Sequence, residues 1–321
     1  MRVEHLDNEA LVLCVANTQL SQRAMHQTIP RRACLLAFAG ILACRPTGES
    51  PDTSNSRPAS KQRIVSITPN TTEAVFAIGA GQRMVGRSRF CNYPPEASRL
   101  PSVGGYIDPS LETILGLRPD LVTGARGPMG RNLVDKLEAR GTECYFPSTE
   151  SVQEIFAMIE GLARRLDAAS EGAQLIESIS NHLTRIENLV KDRFCPRTLL
   201  VFGQAPVSVA GPGSFPAEML ALAGCINAVE LGVPYPILGF ETMIGMDPDI
   251  IIDATMAGGQ DTEPITANRP GWASLRAVRE GSIIRLDNDQ VLRPGPRVAE
   301  GVAILARHTH VGLDLPWPEA T

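Results

Sequence analysis

This 321-residue chain has no run of the roughly 18–20 consecutive apolar residues that a membrane-spanning helix requires. None of its segments is expected to cross a bilayer. It is poor in aromatics, at 5%, and has only five histidines. Beyond residue 62 those are His182, His308 and His310. A receptor for bare zinc or manganese needs clustered His and carboxylate ligands, so no metal site is expected. The seven cysteines include no C-x-x-C or other metal-type spacing, and Cys91, Cys144, Cys195 and Cys225 read first as small buried apolar residues. No Lys/Arg run builds a basic patch, and the net charge is −5, which gives no sign of a nucleic-acid partner. P-loop, G-x-S-x-G and H-E-x-x-H motifs are absent. Gly79-Ala-Gly81 with Gly86 misses the dinucleotide-binding spacing and follows a helical pattern instead of a strand. Ser214 has no placed base and reads as a helix N-cap. These absences leave no catalytic residue and no cofactor to expect.

What is present begins with an export pattern. Residues 25–43 read as a signal peptide: Arg31-Arg32 form a basic start and Cys34 through Ala43 an apolar stretch. Ile41-Leu42-Ala43-Cys44 has lipobox form, which makes Cys44 the expected lipidated N-terminus. Residues 1–24, with Glu4, Asp7 and Glu9, do not fit a signal and are expected to be an upstream extension, translation starting at Met25. Residues 44–61 are rich in Ser, Pro, Thr and Asp, too polar to build a core, and suit a tether. The expected localisation is exported, periplasmic or at the cell surface, held to a membrane by the lipid alone.

The rest alternates strand and helix patterns. Arg63–Thr68, Met84–Gly86, Asp120–Thr123 and Glu143–Phe146 read as strands over residues 62–150, with helical spacing from Ala74 to Ile78 and from Asn132 to Arg140. Asn70-Thr71-Thr72-Glu73 has N-cap spacing. Residues 151–195 contain no proline before Asp192, and their apolar positions recur at three- and four-residue steps, broken near Asp167. The second helix, from about Ala169 to Asp192, is expected to reach roughly 35 Å at 1.5 Å per residue, enough to join two lobes. Residues 196–321 resume the alternation. Strands are expected at Thr198–Phe202, Ile250–Asp253 and Ile283–Leu286. Helices are expected at Ser214–Ala223, Trp272–Glu280 and Pro296–Arg307.

The strongest signal is an internal repeat. Leu111 to Ala125 (LETILGLRPDLVTGA) aligns with Phe240 to Ala254 (FETMIGMDPDIIIDA). Each copy predicts a short helix opened by an acidic residue, Glu112 or Glu241, ended near Gly116 or Gly245, then a Pro-Asp turn and a buried strand. The fold class is therefore α/β: two Rossmann-like lobes with central β-sheets joined by a single long backbone helix, and a ligand cleft between them.

Together these segments resemble the helical-backbone (class III) periplasmic solute-binding proteins of ABC importers, in the family of cobalamin and iron-siderophore receptors. The likeness is carried by Arg63 to Glu73, Asn92-Tyr93-Pro94-Pro95, Val103-Gly104-Gly105, the two repeat copies, Tyr235-Pro236 and Arg293-Pro-Gly-Pro-Arg297. It implies a monomer that captures cobalamin, or alternatively a ferric siderophore or haem, as transported ligand. It implies that Glu112 and Glu241 dock into a dimeric permease. It also implies ligand contacts from the aromatics Phe90, Tyr106 and Tyr235. Where cobalamin receptors carry a further aromatic, this chain has Ala125 and then Arg126. Arg126 and Arg297 are expected at the cleft, where they suit an anionic ligand. The reading from another class, a two-lobed chelatase-like enzyme, needs a catalytic His or clustered Cys in the cleft, which the sequence does not supply.

Overall fold

Nine strands form two sheets in the computed structural model, which describes residues 62–126, 130–256, 263–287 and 289–315. The signal, lipobox and tether readings, Cys44 included, lie outside the described residues. The first sheet contains β1 (Ile64–Ser66), β2 (Met84–Arg87), β3 (Leu121–Thr123) and β4 (Glu143–Tyr145), in the order β2-β1-β3-β4. All its pairings are parallel. The second centres on β5 (Arg197–Gln204). It pairs antiparallel with β6 (Val207–Val209) and parallel with β7 (Ile226–Asn227) and β8 (Ile250–Asp253), and β9 (Ile283–Arg285) extends it beside β8. The helices are α1 (Pro69–Ala77), α2 (Leu111–Gly116), α3 (Gly130–Glu138), α4 (Val152–Arg165), α5 (Ala169–Val190), α6 (Phe215–Leu222), α7 (Phe240–Met246), α8 (Arg276–Arg279) and α9 (Val298–Thr309).

The expected long helix is α5, with 22 residues, about 33 Å at 1.5 Å per residue. The chain turns into it at Asp167, whose φ is 52°. It packs against α4 on one side and against α6 and α9 on the other. One apolar cluster runs from Ile64 and Leu121 of the first sheet, through Ile155, Ile159, Ile179 and Leu183, to Leu200 and Ile252 of the second. The two sheets thus share a continuous core, which limits how far one can swing against the other.

Three local readings differ from expectation. Helix α1 starts at Pro69, with Thr68 as its N-cap, so Glu73 lies inside the helix and not at a capping-box position. The β5–β6 hairpin was not legible, because its Ala205-Pro206 turn lacks the Gly-containing signature of two-residue hairpins. The helix expected over Trp272–Glu280 is divided by Leu275, whose ψ of 133° is extended.

The repeat closes the same way twice. Neither Gly116 nor Gly245 takes a left-handed conformation; Arg118 (φ 47°) and Asp247 (φ 43°) do. Each precedes a proline, Pro119 or Pro248, and a residue before proline cannot continue a right-handed helix. An arginine at the start of the sheet's central strand then secures each turn. Arg63 donates to the Leu117 carbonyl at 3.0 and 2.8 Å and its backbone N–H to Asp120 at 2.7 Å. Arg197 donates to the Met246 carbonyl at 3.3 Å and its backbone N–H to Asp249 at 3.0 Å.

Two expectations about stability follow from the base of the second sheet. Gly224 has φ 77°, and a Cβ there would lie 2.9 Å from both His310 Nε2 and Val190 Cβ. Gly224→Ala should cost about 1–3 kcal/mol in chemical unfolding. His310 is buried, with Nε2 2.7 Å from the Ala223 carbonyl, and burial holds its pKa below the ordinary histidine value. The unfolded chain therefore binds this proton more readily than the fold does. The stability His310 allows is full above the unfolded histidine pKa, near 6.5, and declines as pH falls below it. Thermal melts between neutral and mildly acid pH should show this slope, and it should flatten in His310→Gln.

Candidate ligand-binding site

In a parallel sheet the loops leaving the C-terminal strand ends form the natural crevice. In the first sheet, Phe90 follows β2, Arg126 follows β3 and Glu150 follows β4. Between β1 and β3, where the chain reverses its winding, Thr68 Oγ1 accepts from the Ala125 N–H at 2.9 Å and donates to Asn70 Oδ1 at 2.7 Å. From the second sheet come Phe202 of β5, the Tyr235 loop and the segment after β9 that includes Leu292 to Arg297. The Tyr235 loop is seated by a close backbone approach. Gly211 N–H donates to the Pro234 carbonyl at 2.8 Å, and a Cβ on Gly211 would sit 2.2 Å from the Val233 carbonyl.

The two edges face each other, and side chains bridge them. Tyr235 donates its hydroxyl proton to the Glu150 carboxylate. Burial first, and then the Glu150 charge, push the Tyr235 phenol well above the usual tyrosine range. Glu218 of α6 accepts from the Val152 N–H at 2.8 Å, capping α4 from the opposite lobe. Asn70 donates to the Pro294 carbonyl at 3.2 Å. Deeper in, Glu73 is only 3% exposed. It accepts from Arg293 at 3.0 Å and from Arg297 at 2.9 and 2.7 Å, and Asp289 joins both arginines. A cavity of about 280 Å³ lies between the edges, with Glu150 and Pro294 on its wall and Tyr235, Phe202, Phe215, Pro216 and Leu292 around them. Phe202 meets Tyr235 edge-on at 5.8 Å.

The residues expected at the site fall as follows. Tyr235 lines the cavity. Tyr106 is half-buried, and its phenol is raised by burial and by the Glu150 charge, which puts it in that glutamate's field. Phe90 is 52% exposed, under the Arg89 guanidinium at 5.3 Å, and its carbonyl accepts from Arg293 at 3.4 Å. Arg126 is exposed on the rim, its backbone N–H on the Pro147 carbonyl at 2.9 Å. Arg297 points inward to Glu73 and lies 4.2 Å over the Tyr93 ring. Glu112 and Glu241 are exposed in the first turns of α2 and α7. Both helices run back towards the start of the next parallel strand, so their first turns lie at the C-terminal edges that form the crevice. Glu150, Glu73, Phe202 and Phe215 were not anticipated. Only Glu73 carried a signal, Pro69 in the first helical turn, which places it inside the helix.

Among the described residues no three His, Cys, Asp or Glu side chains converge on a metal-sized site. No helix there is long and apolar enough to cross a membrane. The arrangement is a partly apolar slot between two lobes, with charged groups paired across its base.

A family model described as periplasmic binding protein matches residues 64–290, most of the chain. The chain belongs to the periplasmic binding protein family. Members of this family are substrate-binding proteins. This periplasmic binding protein is 25% identical over 252 residues to the vitamin B12-binding protein of Vibrio parahaemolyticus, covering 77% of the chain and 89% of that relative. Among solved structures it is similar to the periplasmic heme-binding protein of Roseiflexus sp. RS-1 in apo form, with a TM-score of 0.68, 28% identity and coverage of 77% and 97% of the two chains. It is also similar to the periplasmic vitamin B12 binding protein of Vibrio cholerae, with a TM-score of 0.66, 26% identity and coverage of 77% and 96%. The class III α/β architecture expected from the sequence is the architecture of this periplasmic binding protein.

Proposed function

We propose that this protein captures cobalamin or a related corrinoid between its lobes and delivers it to the permease dimer of an ABC importer. It works as an exported monomer, tethered through lipid on Cys44 by residues 44–61. Residues 62–150 form one lobe, residues 151–195 the helical connection and residues 196–321 the other lobe. The observation that supports the reading is the inter-lobe slot with Tyr235 on its wall, and with Phe90 and Tyr106 of the facing lobe near Arg293 and Glu150 at its border. Flat apolar faces suit a macrocycle, which offers area and few strong handles. The 280 Å³ cavity is too small for a whole corrinoid, so the ring lies outside it, against the exposed Phe90 and the half-buried Tyr106, and the cavity takes only its periphery. The curated relatives named for vitamin B12 support this ligand.

The second reading is a ferric siderophore or haem. The exposed Arg126 on the rim favours it, as does the likeness to heme-binding proteins. Calorimetry with cyanocobalamin, hemin and a ferric hydroxamate separates the two. We expect saturable 1:1 binding of cyanocobalamin. Tyr235→Ala should weaken it by about 30-fold or more, the effect of losing an aromatic anchor that the ligand covers. Binding of hemin or the siderophore alone would overturn the corrinoid assignment.

Because the two sheets share one core, closure is a small motion and not a wide hinge. X-ray scattering should give radii of gyration for the empty and loaded protein that differ by less than about 1 Å.

A further inference from the structure

We propose that Glu150 is the polar determinant of a recess that seats a hydrogen-bond-donating arm of the ligand, a primary amide, and turns away a carboxylate. The inference rests on the binding reading above and specifies which chemistry the slot accepts.

Among the described residues only two ionisable side chains, Glu150 and Tyr235, line the cavity, and the other lining residues are apolar. Tyr235 has no proton left to offer. Its proton goes to Glu150, and the Phe215 backbone N–H faces its oxygen. The Pro294 carbonyl already accepts from Asn70. The cations that could draw an anion into the recess are engaged elsewhere: Arg293 and Arg297 hold Glu73, and Arg89 holds Asp108. What remains is Glu150, an exposed carboxylate oriented by one phenol bond, with lone pairs to spare. Two further carboxylates stand behind it. Glu154 accepts the Glu150 N–H at 2.7 Å, and Glu218 caps the Val152 N–H at 2.8 Å.

An acceptor-only recess with apolar walls gains from a donor and loses from another anion. A primary amide supplies two N–H donors, fits a cavity of this size and needs no counter-charge. A propionate would be desolvated against Glu150, with Glu154 and Glu218 behind it, and among the described residues no cation lines the cavity. Arg126 is exposed and does not line the cavity. Corrinoids carry peripheral amide arms, whereas haem presents carboxylates, so Glu150 discriminates between the two candidate ligand classes. Tyr235 is the positioning residue for Glu150 as well as a wall of the slot.

The test compares wild type with E150Q, an isosteric change on an exposed residue, against three probes. These are cyanocobalamin, its monocarboxylic acids with one amide hydrolysed, and hemin. Wild type should bind at least one monocarboxylic acid about 10-fold more weakly than cyanocobalamin, as expected when a donor is replaced by an unpaired anion. In E150Q that ratio should fall to about threefold or less, and hemin should bind more tightly than it does to wild type. Equal binding of amide and acid forms by wild type, or a ratio unchanged in E150Q, overturns the recess. If no corrinoid binds but hemin does, the corrinoid assignment fails and the recess is judged on hemin alone. Tighter hemin binding in E150Q then sustains it, and unchanged binding overturns it.

Discussion

Uptake of the ligand by cells should be abolished when Glu112 and Glu241 are both replaced by alanine, while the purified double variant keeps its ligand affinity within about twofold of wild type, the effect of a docking contact and not a binding-site contact. The expectation rests on placement. Both carboxylates are exposed in the first turn of equivalent helices, at the strand-end edges that border the slot, and neither lines the cavity. A twofold-symmetric partner presenting basic pockets would meet one on each lobe. Each single variant should retain part of the uptake. The arginines behind the two helices matter in the same sense. Arg63 and Arg197 fix the C-terminal turns, so Arg63→Met should impair uptake without loss of ligand binding. Loss of ligand affinity in the Glu112/Glu241 double variant would refute this division of labour.

The largest stability effect should come from Glu73. Its carboxylate is 2% exposed, and the guanidinium groups of Arg293 and Arg297 that hold it are 13% and 12% exposed. Glu73→Ala leaves two buried cations with only Asp289 between them. Breaking a buried pair from one side typically costs about 3–5 kcal/mol. For a folded unit of this size the melting temperature should drop by about 6–20 °C. Replacing Glu73, Arg293 and Arg297 together with apolar residues of similar size should recover much of the loss, because the penalty comes from the stranded charges. If Glu73→Ala melts within a degree of wild type, the network does not bind the lobes. Ligand affinity should fall in the single variant as well, since Arg293 also reaches the Phe90 carbonyl and Arg297 supports Tyr93.

How much of this could be read from the chain varies with the range of the interactions. The repeat was legible because each copy encodes a local unit, helix, Pro-Asp turn and buried strand, and α2–β3 and α7–β8 follow it closely. The long helix was legible for the same reason: its apolar spacing is set by its own periodicity. The exact closure of each copy was not, because it depends on Arg63 and Arg197, more than forty residues upstream of the turns they hold. The site shows the same limit. Phe90, Tyr106 and Tyr235 could be picked out because they match aromatic positions of the receptors that the chain resembles. Glu150 and Glu73 could not, since Glu150 meets Tyr235 across 85 residues and Glu73 meets Arg293 across 220. Arg297 was expected at a ligand, because an arginine in sequence looks the same whether it faces a cleft or a buried carboxylate. The structure places its guanidinium on Glu73.

The most direct test is a crystal structure of the protein grown with saturating cyanocobalamin. The account predicts the corrin ring between the two lobes, against Phe90 and Tyr106, with a peripheral amide within hydrogen-bond reach of Glu150. Ligand bound elsewhere, or an unoccupied slot at saturation, would contradict it.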